Sequence, residues 1–221
     1  MCSAGAASSP SPPECDYNSR GPSPHDVFSS GEAGYNCFRI PALLRLPAGA
    51  VALYAEARKH SCDDHGRVDL VYKRSVDGIT WGPLSLLYSA SGSSQNVTFG
   101  NPSPVVVDGR VLMVFCRDNM RVLTLRSLDS AGLRWPAVPT DVTAQLALGG
   151  GAIGWVATGP PGALRLPSGR VLVPLNFKRG ARRCPGQEPL ATSMWRAMRS
   201  DDGGVTWATS ESEIEGGNEG Q

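Results

Sequence analysis

The stretch SDDGGVTW at residues 200–207 decides the fold, because it reads S-x-D-x-G-x-T-W and recurs along the chain. A copy one residue shorter, SVDGITW, lies at 75–81, and a looser version occupies 127–135. In each copy the aspartate can accept backbone N–H bonds, a glycine can adopt positive φ and the tryptophan can pack under a hairpin. The repeated stretch therefore predicts a structural turn rather than a catalytic group.

Around these turns the chain repeats a β-type run, a short turn and a second β-type run. The segments 42–58, 104–117 and 162–178 each place two apolar runs on either side of an Ala-Gly, Asp-Gly or Ser-Gly turn. Such pairs are typical of hairpins, and no long stretch keeps the i, i+3, i+4, i+7 spacing of a helix. With 26 glycines and 18 prolines as well, the sequence predicts an all-β protein.

The spacing of the turns indicates how the hairpins are arranged. Copies several tens of residues apart fit the one-blade period of a β-propeller, in which each four-stranded sheet needs neighbours to bury its faces. At about 45–50 residues per blade, the chain from Val27 onward predicts about four blades. Residues 1–25 are rich in Ser, Pro, Gly and Ala without apolar periodicity, so we expect a disordered leader there and a partial propeller domain over 26–221.

Charge and hydropathy exclude two classes of partner. The net charge is +1 and the Lys and Arg residues are spread along the chain, which argues against nucleic acid. No segment approaches the roughly 18 apolar residues of a membrane span, and no export signal is visible. The cytoplasm is then the default compartment, while a lysosomal or secreted location and the oligomeric state stay open.

The cysteines give no sign of a metal site or a small disulfide scaffold. They are Cys2, Cys15, Cys37, Cys62, Cys116 and Cys184. They show neither a CxxC pair nor the Cys/His spacing of a zinc site. We therefore expect isolated buried thiols and no metal.

Three motifs, in this order, resemble the sialidases (neuraminidases) that carry Asp-box repeats. FRIP at 38–41 matches their arginine motif, SDDGGVTW at 200–207 matches their Asp-box, and NEGQ at 218–221 is similar to their NE(S/C)Q motif. The phrases GNPSPVV and WVATGP are also similar to microbial exo-α-sialidases. The resemblance covers about residues 27–221. It implies a six-bladed propeller that removes terminal sialic acids from glycoproteins, glycolipids and oligosaccharides, with sialylated glycans as partners and no cofactor.

The resemblance also implies the residues that bind substrate. Sialic acid carries a carboxylate on its anomeric carbon, and arginine binds a carboxylate through two parallel hydrogen bonds. By resemblance, Arg39 is the first of three arginines with this role, and Arg58 reaches the region of the ring 4-hydroxyl. Asn101 resembles a polar residue that points into the same pocket, and Trp155 resembles an aromatic residue beside it. A strand-end or core position is the alternative for Arg58, Asn101 and Trp155.

Catalytic roles follow from the same resemblance. In the family, a loop at this place delivers the aspartate that acts as general acid/base, and Asp63 and Asp64 compete for that role here. Counted from Arg58 and from Ser75, Asp64 fits the commoner spacing, and Asp63 fits relatives with a loop that differs by one residue. Glu219 matches the glutamate that activates a tyrosine nucleophile, a scheme outside the usual pair of carboxylates; a polar tail is the alternative.

The remaining catalytic residues of the family lie downstream of this glutamate. They are two further arginines and the tyrosine, so we expect this chain to carry part of the catalytic set and to be inactive alone. A noncatalytic sialic-acid-binding propeller would keep Arg39 but would not need Asp64 or Glu219. An Asp-box scaffold would keep the turns alone and leave FRIP unexplained.

Overall fold

The computed structural model describes residues 26–90, 96–148, 153–160, 162–180 and 192–216. The predicted leader at 1–25 lies outside these ranges. Within them the chain forms three antiparallel sheets and two 3₁₀ turns, at Glu32–Gly34 and Thr143–Gln145. The all-β prediction is confirmed.

Two of the sheets have four strands each, in sequence order. The first contains β1 (Cys37–Arg45), β2 (Val51–Arg58), β3 (Val68–Ser75) and β4 (Ser85–Tyr88). The second contains β5 (Phe99–Val107), β6 (Arg110–Arg117), β7 (Arg121–Arg126) and β8 (Thr140–Asp141). Each is a meander, in which consecutive strands are antiparallel neighbours.

The third sheet has six strands because its outer positions are divided between short segments. The strands are β9 (Ile153–Thr158), β10 (Leu164–Arg165), β11 (Val171–Arg179), β12 (Met194–Ser200), β13 (Ala208–Thr209) and β14 (Ile214–Glu215). Both β9 and β10 pair with β11, and both β13 and β14 pair with β12. Because β9 and β10 share one edge of the sheet and β13 and β14 share the other, the sheet is four strands wide.

The number of sheets differs from the expected four blades. The described sheets begin at Cys37, Phe99 and Ile153, so successive sheets start about 60 and about 55 residues apart, which is longer than the period of about 45–50 residues assumed from sequence. The extra length lies in connections such as residues 59–67 and 127–139. Three sheets therefore account for the region in which about four were expected.

The second sheet lies between the other two and is buried on both faces. Along β6, Val111, Met113 and Phe115 belong to the cluster shared with the first sheet. The intervening Leu112, Val114 and Cys116 belong to the cluster shared with the third sheet. This alternation is the period-two pattern of a strand, and burial on both faces explains why β6 reads as a continuous apolar run.

The three copies of the repeated stretch form turns of one type, which we call the Asp turns (75–81, 127–135 and 200–207). Asp77 Oδ1 accepts the N–H groups of Ile79 and Thr80 at 2.8 and 2.7 Å. Asp202 Oδ1 accepts those of Val205 and Thr206 at 3.1 and 2.9 Å. In the looser turn at 127–135, the carboxylate of Asp129 accepts the N–H groups of Leu133 and Arg134, at 3.0 Å each.

The tryptophan closes two of these turns. Trp135 Nε1 donates to the Gly132 carbonyl at 3.1 Å, and Trp207 Nε1 donates to the Gly204 carbonyl at 3.2 Å. Trp207 is buried in the cluster between the second and third sheets. The structure thus gives the three aspartates, Trp135 and Trp207 the structural role predicted from their sequence.

The expectation of isolated thiols is wrong for two cysteines. Cys37 and Cys62 form a disulfide with Cα atoms 5.4 Å apart. Cys37 is paired with Arg58 in the β1–β2 register, so the loop after β2 returns to the start of β1. This pairing across a hairpin cannot be seen in the spacing of 25 residues. Cys116 is a buried free thiol, as expected; Cys2, Cys15 and Cys184 lie outside the described residues.

Candidate active site

A cleft lies where the first strands of the three sheets run side by side. Strand β5 contacts β1 as well as β9 and β10. Arg39, Asn101 and Trp155 are each the third residue of the first strand of their sheet, and all three line the cleft. Residues far apart in sequence therefore meet because the sheets present equivalent positions to a common centre.

Backbone irregularities aim these strands into the cleft. The β1 register shifts between Arg39 and Ala42, and Ile40 has a φ of 53°. The β5 register shifts between Gly100 and Ser103, and Asn101 has a φ of 57°. Positive φ is a genuine outlier for a β-branched residue such as Ile40, and bulges re-aim side chains beside active sites. Strain of this kind costs about 1–3 kcal/mol per residue.

Two arginines converge on one carboxylate oxygen in this cleft. Arg39 Nη1 lies 2.7 Å from Asp64 Oδ1, and Arg58 Nη1 lies 2.8 Å from the same atom. The Arg58 side chain is buried, whereas 44% of the Arg39 side chain and 65% of the Asp64 side chain are exposed. Arg58 is thus fixed in the wall, while Arg39 and Asp64 remain accessible to a ligand.

The loop that carries Asp64 is held at Cys62, two residues before the aspartate. The Cys37–Cys62 disulfide joins it to the residue two places before Arg39. Arg58 Nη1 also donates to the Cys62 carbonyl at 2.5 Å. The neighbouring Asp63 accepts a bond from Ser61 Oγ at 2.8 Å and is not part of the cleft wall. Of the two candidate aspartates, only Asp64 faces the arginines.

Glu56 belongs to this arrangement and was missed from sequence. It is 3% exposed, and its Oε2 accepts bonds from Arg58 Nε and Nη2 at 3.0 and 2.5 Å. Its Oε1 accepts the Asn101 N–H at 2.9 Å, so one carboxylate holds groups from two sheets. A Cβ at Gly100 would lie 2.6 Å from the same oxygen, which explains the glycine there.

The surroundings of Glu56 act on its pKa in opposite directions. Burial raises the pKa of the Glu56 carboxyl above its ordinary value, while the Arg58 guanidinium and the Asn101 N–H favour the ionised form. Because Arg58 is equally buried, the two side chains depend on each other for compensation. The sequence signal was available in the E-x-R spacing at 56–58, which places both side chains on one face of β2.

The third sheet contributes a wall that is polar and aromatic. Trp155, Asn176 and Trp195 line the cleft from β9, β11 and β12. The Lys178 ammonium lies 5.7 Å from the centre of the Trp155 ring. Asn119, at the β6–β7 turn, donates from Nδ2 to the Val156 carbonyl at 3.1 Å and ties β9 to the second sheet. Sequence reasoning identified Trp155 but not Asn119, Asn176 or Trp195.

Glu219 lies outside the described residues, so its convergence with Arg39 and Asp64 stays a prediction. The tyrosines at 35, 54, 72 and 88 are described, and none of them lines the cleft. In the same part of the chain no group of three or more His, Cys, Asp or Glu side chains could hold a metal ion, and no helix is long and apolar enough to cross a membrane.

Curated relatives of this chain are sialidases. The exo-alpha-sialidase of Aspergillus fumigatus is 30% identical over 183 residues, covering 67% of this chain and 43% of that protein. Sialidase-4 of Homo sapiens is 31% identical over 211 residues, covering 85% of this chain and 42% of that protein. The chain therefore spans less than half the length of these relatives. No family model matches it.

Two sialidases are among the solved structures with the same fold. The Hadza microbial sialidase Hz136 has a TM-score of 0.68 at 20% identity, covering 81% of this chain and 38% of that one. Trypanosoma rangeli sialidase in complex with the inhibitor DANA has a TM-score of 0.63 at 19% identity, covering 80% and 31%. These likenesses identify the three sheets as blades of the sialidase propeller fold.

Proposed function

Because the chain belongs to the sialidase family, we propose that its cleft binds the carboxylate of a terminal sialic acid and forms part of an exo-α-sialidase site. The observation that carries this proposal is the convergence of Arg39 and Arg58 on Asp64 Oδ1. Guanidinium groups keep their charge and form directed bonds to carboxylates. A bound sugar carboxylate would take the position at Arg39 that Asp64 occupies in the absence of ligand.

Asp64 is the proposed general acid/base. Its carboxyl group lies on an exposed loop and contacts both arginines, so ligand binding at Arg39 would free it to donate a proton to the glycosidic oxygen. Arg58 and Asn101, both held by Glu56, would contact the sugar ring, and Trp155 would pack beside it. In this scheme Asp63 has no contact with substrate.

The whole reaction would be hydrolysis with retention of configuration. We propose that Glu219 activates a tyrosine nucleophile, and that the substrates are glycoproteins, oligosaccharides and glycolipids such as gangliosides. In this proposal the three Asp turns are the Asp-boxes of the family and act in folding alone. Since no described tyrosine lines the cleft, we expect the 221-residue chain to bind sialic acid without hydrolysing sialosides.

Substitution of Arg39 by lysine tests the binding proposal. A lysine keeps the charge but loses the two-pronged geometry, so affinity for N-acetylneuraminic acid should fall by about 2–3 kcal/mol, or roughly 30- to 150-fold. Titration calorimetry on the purified chain measures this change. Arg45→Lys, on the same strand and outside the cleft, is the matched control. Equal affinities of the Arg39→Lys variant and the wild type would reject the assignment.

Turnover separates the proposed sialidase role from a noncatalytic sialic-acid-binding propeller. The missing cleft tyrosine among the described residues favours the second role for the chain by itself. A fluorogenic sialoside should give no signal with the purified chain. Turnover that disappears in a Glu219→Ala variant would instead show that the chain is active and has a different nucleophile.

A further inference from the structure

The loop between β2 and β3 carries Asp64 and is closed at its base by one backbone hydrogen bond. The Lys59 N–H donates to the Arg67 carbonyl at 3.0 Å. We call residues 60–65 the Asp64 loop. Across the described ranges, no backbone–backbone hydrogen bond includes a residue of this loop. Its position above the cleft therefore depends on contacts that side chains make.

Two kinds of contact hold the Asp64 loop at the cleft. Asp64 Oδ1 lies 2.7 Å from Arg39 Nη1 and 2.8 Å from Arg58 Nη1. Cys62 is joined to Cys37 by the disulfide, and the Cys62 carbonyl accepts a hydrogen bond from Arg58. Cys37 is the first residue of β1, two places before Arg39. The covalent link thus attaches the loop to the strand that presents the accessible arginine.

Without the disulfide, the other contacts are too weak to hold the loop in one position. The Asp64 side chain is largely exposed, and an exposed ion pair favours the paired state by up to about fivefold. The bond from Arg58 to the Cys62 carbonyl adds roughly a factor of 2–10. Fixing the backbone of a single residue costs about a factor of 5–30, and every residue of 60–65 has to be fixed. The disulfide provides the restraint that the ion pairs lack.

The link is open to a reductant. Cys62 is exposed and Cys37 is half-buried, whereas the free thiol of Cys116 is buried. One thiolate of a dithiol attacks Cys62 Sγ, and the Cys37 sulfur leaves as a thiolate and takes up a proton. The second thiol of the reagent then displaces Cys62 and closes a cyclic disulfide. Two electrons and two protons pass to the protein, and the loop loses its covalent attachment.

We propose that the Cys37–Cys62 disulfide is a redox-sensitive link that positions Asp64 at the arginines. This inference rests on the proposed function, because it takes the cleft to bind a carboxylate at Arg39. With the link closed, Asp64 competes with the ligand for the guanidinium groups and lies where it can donate a proton. With the link reduced, the loop leaves the arginines, so a carboxylate binds more tightly while the proton donor is displaced.

Disulfides persist in oxidising compartments, whereas dithiol proteins and glutathione keep thiols reduced in the cytosol. The proposal therefore makes the position of the proton donor depend on the compartment. The linked chain has Asp64 in place for proton transfer, and the reduced chain keeps a carboxylate-binding cleft without it.

The test uses calorimetric titrations of the purified chain with N-acetylneuraminic acid. They compare the disulfide-linked chain, the same chain reduced with dithiothreitol, and Cys62→Ser. We expect the reduced chain and Cys62→Ser to bind the acid about two- to fivefold more tightly than the linked chain, the range of an exposed ion pair. Cys62→Ser should not respond to dithiothreitol, which excludes an effect of the other cysteines. Equal affinities of the linked and reduced chains would overturn the inference.

An Asp64→Asn background shows whether the link acts through Asp64. Reduction should change the affinity of Asp64→Asn by less than about twofold, because the competing carboxylate is already gone. Asp63→Asn is the matched control and should respond to reduction as the wild type does. A purely structural link would act in every background. A response of the same size in Asp64→Asn and in the wild type would therefore overturn the positioning role.

Limited digestion with trypsin measures the position of the loop without a ligand. Cleavage after Lys59, at the base of the Asp64 loop, follows the population in which the loop is open. It should be several times faster in Cys62→Ser than in the linked wild type. Cleavage after Arg134, an exposed residue of an Asp turn, is the internal control and should be the same in both.

The two failures can be told apart. If no form of the chain binds N-acetylneuraminic acid, the proposed function fails and the effect of the link on binding fails with it. If the linked chain binds the acid, and neither the affinity nor the cleavage after Lys59 changes when the link is removed, the positioning role fails and the proposed function stands.

Discussion

The Asp turns and the cleft place carboxylates in opposite surroundings. In the Asp turns, Asp77 and Asp202 are exposed and accept bonds from backbone N–H groups of their own turn. In the cleft, Glu56 is buried and holds an arginine of its own strand together with a backbone N–H of the next sheet. The turns are local and self-sufficient, whereas the cleft depends on contacts between sheets.

The pKa values follow this difference. Backbone N–H bonds from Thr80 hold the pKa of Asp77 below its ordinary value, and a side-chain bond from Thr206 does the same for Asp202. Burial raises the pKa of Glu56. A carboxylate in the turns is therefore stabilised by folding, while the one in the cleft is compensated only as long as its partners stay in place.

Replacing Glu56 by glutamine should have the largest effect, because it leaves the buried Arg58 guanidinium without its main partner. Breaking one side of a buried ion pair destabilises by about 3–5 kcal/mol. Urea unfolding of Glu56→Gln and of Asp202→Asn makes the comparison direct. We expect the cleft variant to lose several times more stability than the turn variant. Equal losses would show that the cleft carboxylate is no more dependent on its partners than the exposed one.

Removal of the disulfide should have the next largest effect. Closing a loop of 25 residues stabilises a protein by about 3 kcal/mol, so Cys62→Ser should lower the free energy of unfolding by about that amount. Cys37→Ser and the double variant should show the same loss as the single one, since either change removes the whole link. Additive losses from the two single variants would contradict the pairing.

The dependence of stability on acid pH tests the carboxylates of the Asp turns. A carboxyl group with a folded-state pKa below its unfolded value contributes stability above the unfolded pKa, and that stability is lost as the pH falls. For Asp77 and Asp202 the loss should therefore begin as the pH falls through about 4, the unfolded pKa of aspartate. An Asp77→Asn, Asp202→Asn double variant should have a flatter stability curve below that pH. Thermal unfolding across pH measures both curves. If the double variant loses as much stability as the wild type does at acid pH, the prediction is wrong.

The smallest effect distinguishes the two loop aspartates. The Asp64 carboxylate forms ion pairs with both arginines and would compete with a carboxylate ligand for them. Asp64→Asn should therefore raise the affinity for such a ligand by up to about fivefold, the range of an exposed ion pair. Asp63→Asn serves as the neighbouring control and should leave affinity within about twofold of the wild type. The opposite pattern in calorimetric titrations would place Asp63 at the arginines.

The sequence predicted the local parts well, and the comparison of the two regions explains why. The Asp turns at 75–81 and 200–207 contain both the acceptor and the donors of their hydrogen bonds, so the pattern of residues is enough. Arg39 was named from the FRIP motif, and Asp64 was preferred to Asp63 from its spacing to Arg58 and Ser75; both line the cleft. Glu56 and Asn176 were missed because their roles arise from burial and from neighbours in other strands, which no short pattern contains. The Cys37–Cys62 link was missed for the same reason.

The central claim is that Arg39 and Arg58 make the cleft a carboxylate site, and the affinity of the chain for N-acetylneuraminic acid relative to its methyl ester tests it most directly. The ester keeps the sugar ring, the N-acetyl group and the hydroxyls but removes the negative charge. Calorimetry on the wild-type chain should show binding at least tenfold tighter for the acid, since charged hydrogen bonds contribute about 1.5–3 kcal/mol. Equal binding of the acid and the ester would contradict the claim.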